Sequence, residues 1–455
     1  MKKILPILFF ISLLGGTSLA QSKKWTLEEC VDYALKNNIS IKQTELELRT
    51  ADVDKKAAFG NFLPTVNANA SHSWNIGLNQ NITTGLLENQ TTQFTSAGIS
   101  SSVDIYNGLQ NQNRLRRANL SKVAAQYQLD KMKDDVSLNI ANAYLQILFN
   151  KESIKVQKEQ LSNNEKQEIR TTELVNAGVV ARGDLLDIKA TVAGDKQRLV
   201  AAENALFLSK LSLVQLLQLD DYKDFDIAEE NVAVPLSTVM AQKPEDIIEK
   251  AKQSRVELKI ASTNLQLAEK DITIAKGAYQ PSLGGFYSFD TRASDSQSFI
   301  GFDDNGNPML GTLPLFDQFS NNKGHSFGVR LSIPIFNGFA TKNNVERTKI
   351  AFDRVKIAQQ QAEVDLERNV YNAITDAKGA LNSYESAQVA LEARAEAFNY
   401  AKEKYAVGMM NSFDFNQAQT LYLNAQSEVL RTKYDYIFKL KLVEFYFGIP
   451  IKQNN

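Results

Sequence analysis

The chain has 455 residues, room for two or three ordinary domains, and its 51 basic residues nearly cancel its 52 acidic ones. That balance leaves no electrostatic footprint for nucleic acid or another acidic polymer, so no nucleic-acid partner is expected. The only cysteine, Cys30, rules out an intrachain disulfide, and its place in the helix-like stretch WTLEECVDYAL gives it a packing role.

The first segment, residues 1–20, reads as a signal peptide. Lys2 and Lys3 precede an apolar run from Ile4 to Leu14, and Ser18-Leu19-Ala20 offers a small-residue cleavage site. The apolar run is too short to span a bilayer comfortably, and no later run of about 20 apolar residues predicts a membrane-crossing helix. A first helix is expected over about 26–60, stopped by Gly60 with Pro64 just beyond. Strands follow. In PTVNANASHSWNIGL, Val66, Ala68, Ala70, Trp74 and Ile76 alternate with Asn67, Asn69, Ser71, Ser73 and Asn75. Ala97, Ile99, Val103 and Ile105 likewise alternate with Gly98, Ser100, Ser102 and Asp104, at about ten residues per strand.

After Asn107-Gly108 the alternation gives way to a helix over about 108–175, about 100 Å long at 1.5 Å per residue. Its apolar residues Ile140, Ile147, Ile154 and Leu161 fall in heptads, as do Leu185, Val192, Leu199, Leu206 and Leu213 after the short turn AGVVARGD at 177–184. A sustained seven-residue repeat predicts a left-handed coiled coil, and the short turn makes it an antiparallel hairpin.

The rest of the chain repeats this order. A shift of 230 aligns 104–220 on 334–450 without a gap, setting Asn107-Gly108 on Asn337-Gly338, Gly178 on Gly408 and Asp184 on Asp414. A shift of 217 aligns Asp54 on Asp271, Gly60 on Gly277 and Pro64 on Pro281, so a longer loop in copy two absorbs the 13-residue difference. The second copy has a first helix over about 244–277. Its strand FGVRLSIPIF carries Phe327, Val329, Leu331, Ile333 and Ile335 on one face. A long helix over about 338–405 follows, with Val370, Ala377, Tyr384, Leu391, Phe398 and Tyr405 in heptad register. Beyond the turn VGMMNSFD, Phe415, Tyr422, Val429, Tyr436 and Val443 hold the same spacing. The expected organisation is a signal peptide at 1–20, a first repeat at 21–220, a linker at 221–243, a second repeat at 244–450 and a tail at 451–455.

Strands with one apolar face and one face of Ser, Asn, Gly and Asp have no second core to cover, whereas a transmembrane β-barrel requires this pattern. Four strands cannot close a barrel, because open edges would leave unpaired backbone groups in lipid. The barrel must then be shared among chains: two copies give eight strands and three give twelve.

The residues TLEECVDYALKNNISIKQ with FLPTV, ELKIASTNLQLAEKDITIAKGAYQPSL, the two strand-to-helix Asn-Gly junctions and the paired turns together resemble the TolC family of outer-membrane efflux proteins over essentially the whole mature length. The resemblance implies an α+β membrane protein. Its trimeric twelve-stranded transmembrane β-barrel, with four strands per chain, continues into a twelve-helix periplasmic α-barrel of long antiparallel coiled coils. It implies an outer-membrane exit duct of a tripartite efflux or type I secretion system. The partners it implies are two further copies (a homotrimer), outer-membrane lipid, a periplasmic adaptor (membrane fusion) protein and an inner-membrane pump of RND or ABC type. The family often places Pro where this chain has Ile39 and Val256, and many relatives carry a lipidated mature N-terminal cysteine that this chain lacks.

The hairpin turns would be the far tip of the duct. Asp184, Asp414 and Asp187 in three copies would set nine carboxylates around one opening, where like charges repel and attract cations. By resemblance they match the family's acidic periplasmic gate; as first-turn residues, Asp184 and Asp414 also suit the helix dipole. Tyr405 matches a gate tyrosine and is equally a heptad core residue. The family's basic gate partner is Met410 here, leaving Arg182 to pair with Asp184 or Asp414 or to remain solvated; Asp187 has Gln417 as its counterpart. Gly178 and Gly408 are expected to end their helices in the left-handed conformation. With Val179, Val180, Met409 and Met410 they form an apolar tip suited to adaptor docking or serve simply as turns. His72 and His325 share the parity of the apolar strand face, which points to interfacial anchoring rather than metal binding. No catalytic, metal or cofactor motif is found, so neither an enzyme nor a cofactor is expected. A non-transporting coiled-coil scaffold or adhesin-like stalk is the rival reading, and it has no need of amphipathic strands. An adaptor subunit would need β-rich blocks flanking a single hairpin, which the chain lacks.

Overall fold

The computed structural model describes residues 24–80, 85–220, 224–228, 234 and 237–450. The expected signal peptide and tail, and part of the linker, lie outside the described residues. In chain order the elements are β1 (Lys24–Trp25), α1 (Leu27–Asn37), α2 (Ile39–Gly60), β2 (Thr65–Gln80), β3 (Leu87–Asn107), α3 (Gln110–Asn176), α4 (Arg182–Leu217) and β4 (Asp226–Ile227). A 3-10 turn (Thr238–Ala241) leads to α5 (Pro244–Ser254), α6 (Val256–Gly277), β5 (Ser282–Ser294), β6 (Ser298–Phe302), β7 (Pro308–Gly311), α7 (Leu315–Asn321), β8 (Gly324–Ser332), α8 (Ala340–Ala406) and α9 (Ser412–Phe447). Two compact units divide the chain. One comprises Met1–Lys42, Met132–Arg255 and Leu366–Asn455; the other comprises Gln43–Lys131 and Val256–Asp365.

The second unit is built on a four-stranded antiparallel sheet, ordered β2-β3-β5-β8. Cross-strand partners share a face, so the register decides whether the apolar residues gather. They do: Ala68 pairs with Ile99, Ile99 with Phe289, and Phe289 with His325, while Leu283 pairs with Leu331 and Tyr287 with Phe327. The opposite face is mostly small and polar, with Asn67 beside Ser100, Ser71 beside Ser96 and Ser100 beside Ser288, and with Phe94 and Phe286 as its large apolar members. The two hairpins keep one register under the repeat shifts. Val66 opposite Ser101 in the first corresponds to Leu283 opposite Leu331 in the second.

Glycine is required where α6 meets the β3–α3 junction. Gly108 has φ +56°, and a Cβ there would stand 2.1 Å from the carbonyl oxygen of Gly277, while a Cβ on Gly277 would stand 2.5 Å from the Gly108 carbonyl. In the same unit Arg117 of α3 grips Asp271 of α6 with Nε to Oδ1 at 2.5 Å, and Lys122 reaches Asp52 of α2 at 2.6 Å.

The first unit is helical, with its core along the heptad positions. Ile140, Ile147, Leu213, Val370, Leu440 and Val443 are completely buried. A parallel two-residue ribbon pairs Lys24 with Asp226 and Trp25 with Ile227. The Tyr144 hydroxyl donates to the Ala228 carbonyl at 3.2 Å. Asp226 Oδ1 is held by Lys151 at 2.8 Å and Lys210 at 2.9 Å. Burial pushes the Asp226 carboxyl upward, but its hydrogen bonds and charge pairing with these two lysines outweigh that and hold it below the usual carboxylate value.

The structure corrects several sequence expectations. The first helix of each repeat is two helices, broken where Asn38 and Arg255 take extended backbone. Neither is a helix breaker; tertiary contacts fix them. Asn38 donates through Nδ2 to the Leu216 carbonyl at 2.9 Å and accepts from the Ser40 N–H at 2.9 Å. Arg255 lies 3.8 Å over the Phe445 ring and reaches Asp134 at 3.4 Å. The first two strands are longer than ten residues, at 16 and 21. β8 stops at Ser332, so Ile333 and Ile335 lie beyond it; Pro334, with no N–H to give, cannot extend the ladder. The long loop of copy two holds the β6–β7 hairpin and α7. Finally, α4 is long and apolar enough over part of its length to cross a membrane. Lys210 paired to Asp226 and the buried Leu213 and Leu217 pack its last turns into the helical unit instead.

Candidate functional site: helix tips and an unclosed sheet

The tips of both hairpins are in the first unit. Each long helix ends in a Schellman motif, with the Val179 N–H on the Leu174 carbonyl at 2.9 Å and the Met409 N–H on the Lys404 carbonyl at 2.9 Å. Gly178 (φ +72°) and Gly408 (φ +75°) carry the left-handed backbone these motifs need. Val179 and Met409 stand 67% and 78% exposed, Val180 and Met410 half-buried.

Across the tip, the Ser412 hydroxyl donates to Asp184 Oδ1 at 2.5 Å and ties the start of α9 to the start of α4. Asp414 is exposed and held by its own N-cap. Asn411 Oδ1 accepts from the Asp414 N–H at 2.8 Å, and Asn411 Nδ2 donates to Asp414 Oδ2 at 2.9 Å. Asp187 and Arg182 are exposed. Among the described residues Arg182 forms no ion pair with Asp184 or Asp414, so the link between hairpins here is a serine hydroxyl. Tyr405 is half-buried and stacks on Phe415 with ring centroids 4.6 Å apart and planes 14° from parallel. Phe398 continues the stack onto Tyr422 at 5.3 Å and 9°.

Beneath the aromatic stack lies a polar chain that the sequence reading missed. Asn164 of α3 donates to Asp195 Oδ2 of α4 at 2.5 Å and accepts from Gln419 Nε2 of α9 at 2.7 Å; Arg198 holds the other Asp195 oxygen. Asp195 is 0% and Asn164 1% exposed. A signal existed in the heptads. Asp195 follows Val192 by three and Asn164 follows Leu161 by three, which are core positions occupied by polar residues. A cleft of about 290 Å3 runs beside this chain, lined by Gln160, Asn164, Phe398, Tyr405, Gln419 and Tyr422.

The other candidate surface is the sheet. Its apolar face is bare: Ile76 is 83%, Phe327 80% and Val329 68% exposed. Among the described residues, β2 and β8 each have one unpaired edge. A soluble sheet would cover that face and protect those edges.

The family model for outer membrane efflux proteins matches residues 30–218 and 247–440. The chain belongs to the outer membrane efflux protein family. It is 25% identical to outer membrane protein TolC of Escherichia coli (strain K12) over 453 residues, covering 96% of this chain and 84% of that one. Its fold matches the outer membrane protein VceC of Vibrio cholerae with a TM-score of 0.76 at 15% identity, over 94% of this chain and 97% of that one. It also matches the open-state MtrE outer membrane channel of Neisseria gonorrhoeae, with a TM-score of 0.71 at 18% identity over 93% and 88% of the two chains. The fold is therefore that of outer-membrane channels, with a four-stranded sheet and long helical hairpins in each chain. As a family member the protein is an outer-membrane efflux duct with a periplasmic helical extension. That assignment gives the bare face a solvent, which is lipid, and gives the polar face the pore. The stalk reading leaves the four strands without a purpose.

Proposed function

We propose that three copies of this chain close one barrel and that their helix tips form a narrow, acid-lined aperture docked by a periplasmic adaptor. The adaptor joins the duct to an inner-membrane pump of RND or ABC type. The carrying observation is the four-stranded sheet with two open edges and one bare apolar face, since neither is tolerable in lipid without closure. The repeat supports a particular closure. Within the chain, Ile99 of β3 opposes Phe289 of β5, and Ser101 opposes Tyr287. Applying the repeat shifts sets Val329 of β8 opposite His72 of the next copy, and Leu331 opposite its Ala70, with every apolar residue kept on one face. The same arithmetic brings Gly338 against Gly60 of the next copy, as Gly108 meets Gly277 here; a Cβ on Gly338 or on Gly60 meets nothing within 4 Å among the described residues. On this reading the repeats are 21–220 and 244–450, joined by 221–243, with 1–20 removed as a signal peptide.

In the aperture, Asp184, Asp187 and Asp414 supply the carboxylates. Tyr405 braces the tip through its stack on Phe415, and Arg182 faces the opening or a neighbouring copy. Gly178, Val179, Val180, Gly408, Met409 and Met410 are the docking tips, since exposed apolar residues on a tight turn suit a partner helix. The test is planar-bilayer conductance of the purified protein against Asp184→Ala/Asp414→Ala. The expected result is a small resting conductance that rises in the variant and loses its block by divalent cations. Channels with unchanged conductance and block would remove the gate assignment alone, and no channels in either protein would remove the duct.

A further inference from the structure

The loop of copy two carries an apolar shelf that the barrel itself does not account for. β8 begins at Gly324 opposite Asp290, so β5 runs on to Ser294 without a neighbour on that side. Residues 311–322 occupy this vacant edge. Gln318 accepts from the Ser294 N–H at 2.9 Å and donates to the Ser294 carbonyl at 2.9 Å, imitating a strand partner. Asn322 donates to the Arg292 carbonyl at 2.8 Å, and the Thr291 hydroxyl to the Phe319 carbonyl at 2.8 Å. These bonds dock α7 in a fixed place.

Its place is on the apolar side of the sheet. His72, Thr95 and Ala293 form one cross-strand row on that face. Leu313 and Leu315 lie over this row, walling a cleft of about 370 Å3 with His72, Gln93 and Thr95. One row farther from the helices stands Trp74, 61% exposed and edge-on to His72 at 4.3 Å, where an aromatic girdle belongs in an outer-membrane barrel. The polar side chains Gln318 and Asn322 bind the sheet edge, while Phe316 is 80%, Leu315 44% and Leu313 36% exposed. The shelf thus turns its apolar residues away from the chain at the girdle level, continuous with the lipid-facing surface.

We propose that Leu313, Leu315 and Phe316 lie in the acyl-chain boundary of the outer leaflet, so that α7 is an interfacial anchor extending the barrel's lipid face beyond its strands. The partner is the apolar zone of a lipid layer, which short segments with one apolar face enter without spanning. This rests on the outer-membrane reading above.

The experiment is site-directed spin labelling of the full chain in a Cys30→Ala background, reconstituted in phosphatidylcholine vesicles. Labels go at Phe316→Cys and Leu313→Cys, at Trp74→Cys as the lipid reference, and at Asp303→Cys in the exposed hairpin turn as the water reference. Collision with dissolved oxygen and with a water-soluble nickel chelate reports the solvent. The expected result is an oxygen-to-nickel ratio at 316 and 313 several-fold above that at 303 and close to that at 74. A lipid-like ratio at 74 with a water-like ratio at 316 and 313 overturns the anchor and leaves the barrel intact. Low collision with both reagents at 316 and 313 also overturns it, since the shelf is then covered by protein. A water-like ratio at 74 overturns the barrel reading and the anchor together.

Discussion

The sheet and the helical unit draw on the same apolar residues and place them in opposite ways. In the helical unit Ile140, Ile147 and Leu440 point inward and are wholly buried, as the core of any soluble coiled coil demands. In the sheet Ile76, Phe327 and Val329 point outward and stay bare, while the opposite sides of the strands carry mostly Ser, Asn and Gly. One chain therefore folds for two solvents. A residue's role follows from which medium its face meets, and the same substitution should have contrary effects in the two places.

The sharpest break of that contrast is a charge on each strand face. Phe327→Arg should abolish stable insertion of the assembled protein, because an arginine near the bilayer midplane costs about 2–4 kcal/mol per chain and three chains share the barrel. Ser326→Arg, on the facing side, should be recovered from outer membranes at close to normal yield. The measurement is the heat-modifiable, membrane-inserted fraction on unboiled gels. In the helical unit the rule reverses. Leu440→Ala, which empties a fully buried site, should destabilise by about 2–5 kcal/mol, seen as a lowered thermal midpoint of helical circular dichroism.

A smaller effect is expected in the buried polar chain. Asn164→Ala leaves the Asp195 carboxylate and the Gln419 amide short of a partner, for a loss of about 1–3 kcal/mol by the same measurement. The least is expected at Asp226, and it depends on pH. The folded carboxyl sits below its ordinary value near 3.8. Its pairing with Lys151 and Lys210 therefore stabilises the fold above that pH, and the gain is lost as pH falls through the folded value. Asp226→Asn should lower the thermal midpoint at about pH 7, and the gap from the wild type should narrow as the pH falls below the ordinary carboxylate value.

Much of this contrast was legible in the sequence, because periodicity reports faces. Alternation at Val66–Ile76 and heptads from Ile140 and Val370 marked which residues share a side, and Gly178 and Gly408 marked where the long helices stop. What periodicity cannot report is a structure fixed by distant contacts. The helix breaks at Asn38 and Arg255 depend on Leu216 and Phe445, far away in sequence. The positions after them, Ile39 and Val256, are where the family often has proline, and that was the available hint. α7 was hidden because it replaces a missing strand partner through side chains rather than continuing a pattern. The Asp195–Asn164–Gln419 chain was readable as polar residues at core heptad positions. Its connectivity was not, because it joins three helices. At the tip, the repeat spacing paired Asp184 with Asp414, but the Ser412–Asp184 link needed the geometry.

The central claim is that three chains pool their open sheets, and the repeat-derived pairing of β8 with the next copy's β2 tests it most directly. In a Cys30→Ala background, Ala70→Cys with Leu331→Cys places one thiol on each open edge, to be joined by a short thiol-specific cross-linker in purified membranes. A shared barrel gives covalent products that end at three chains on denaturing gels, with no product when either cysteine is present alone. Single chains only, or a series ending at two, would contradict it.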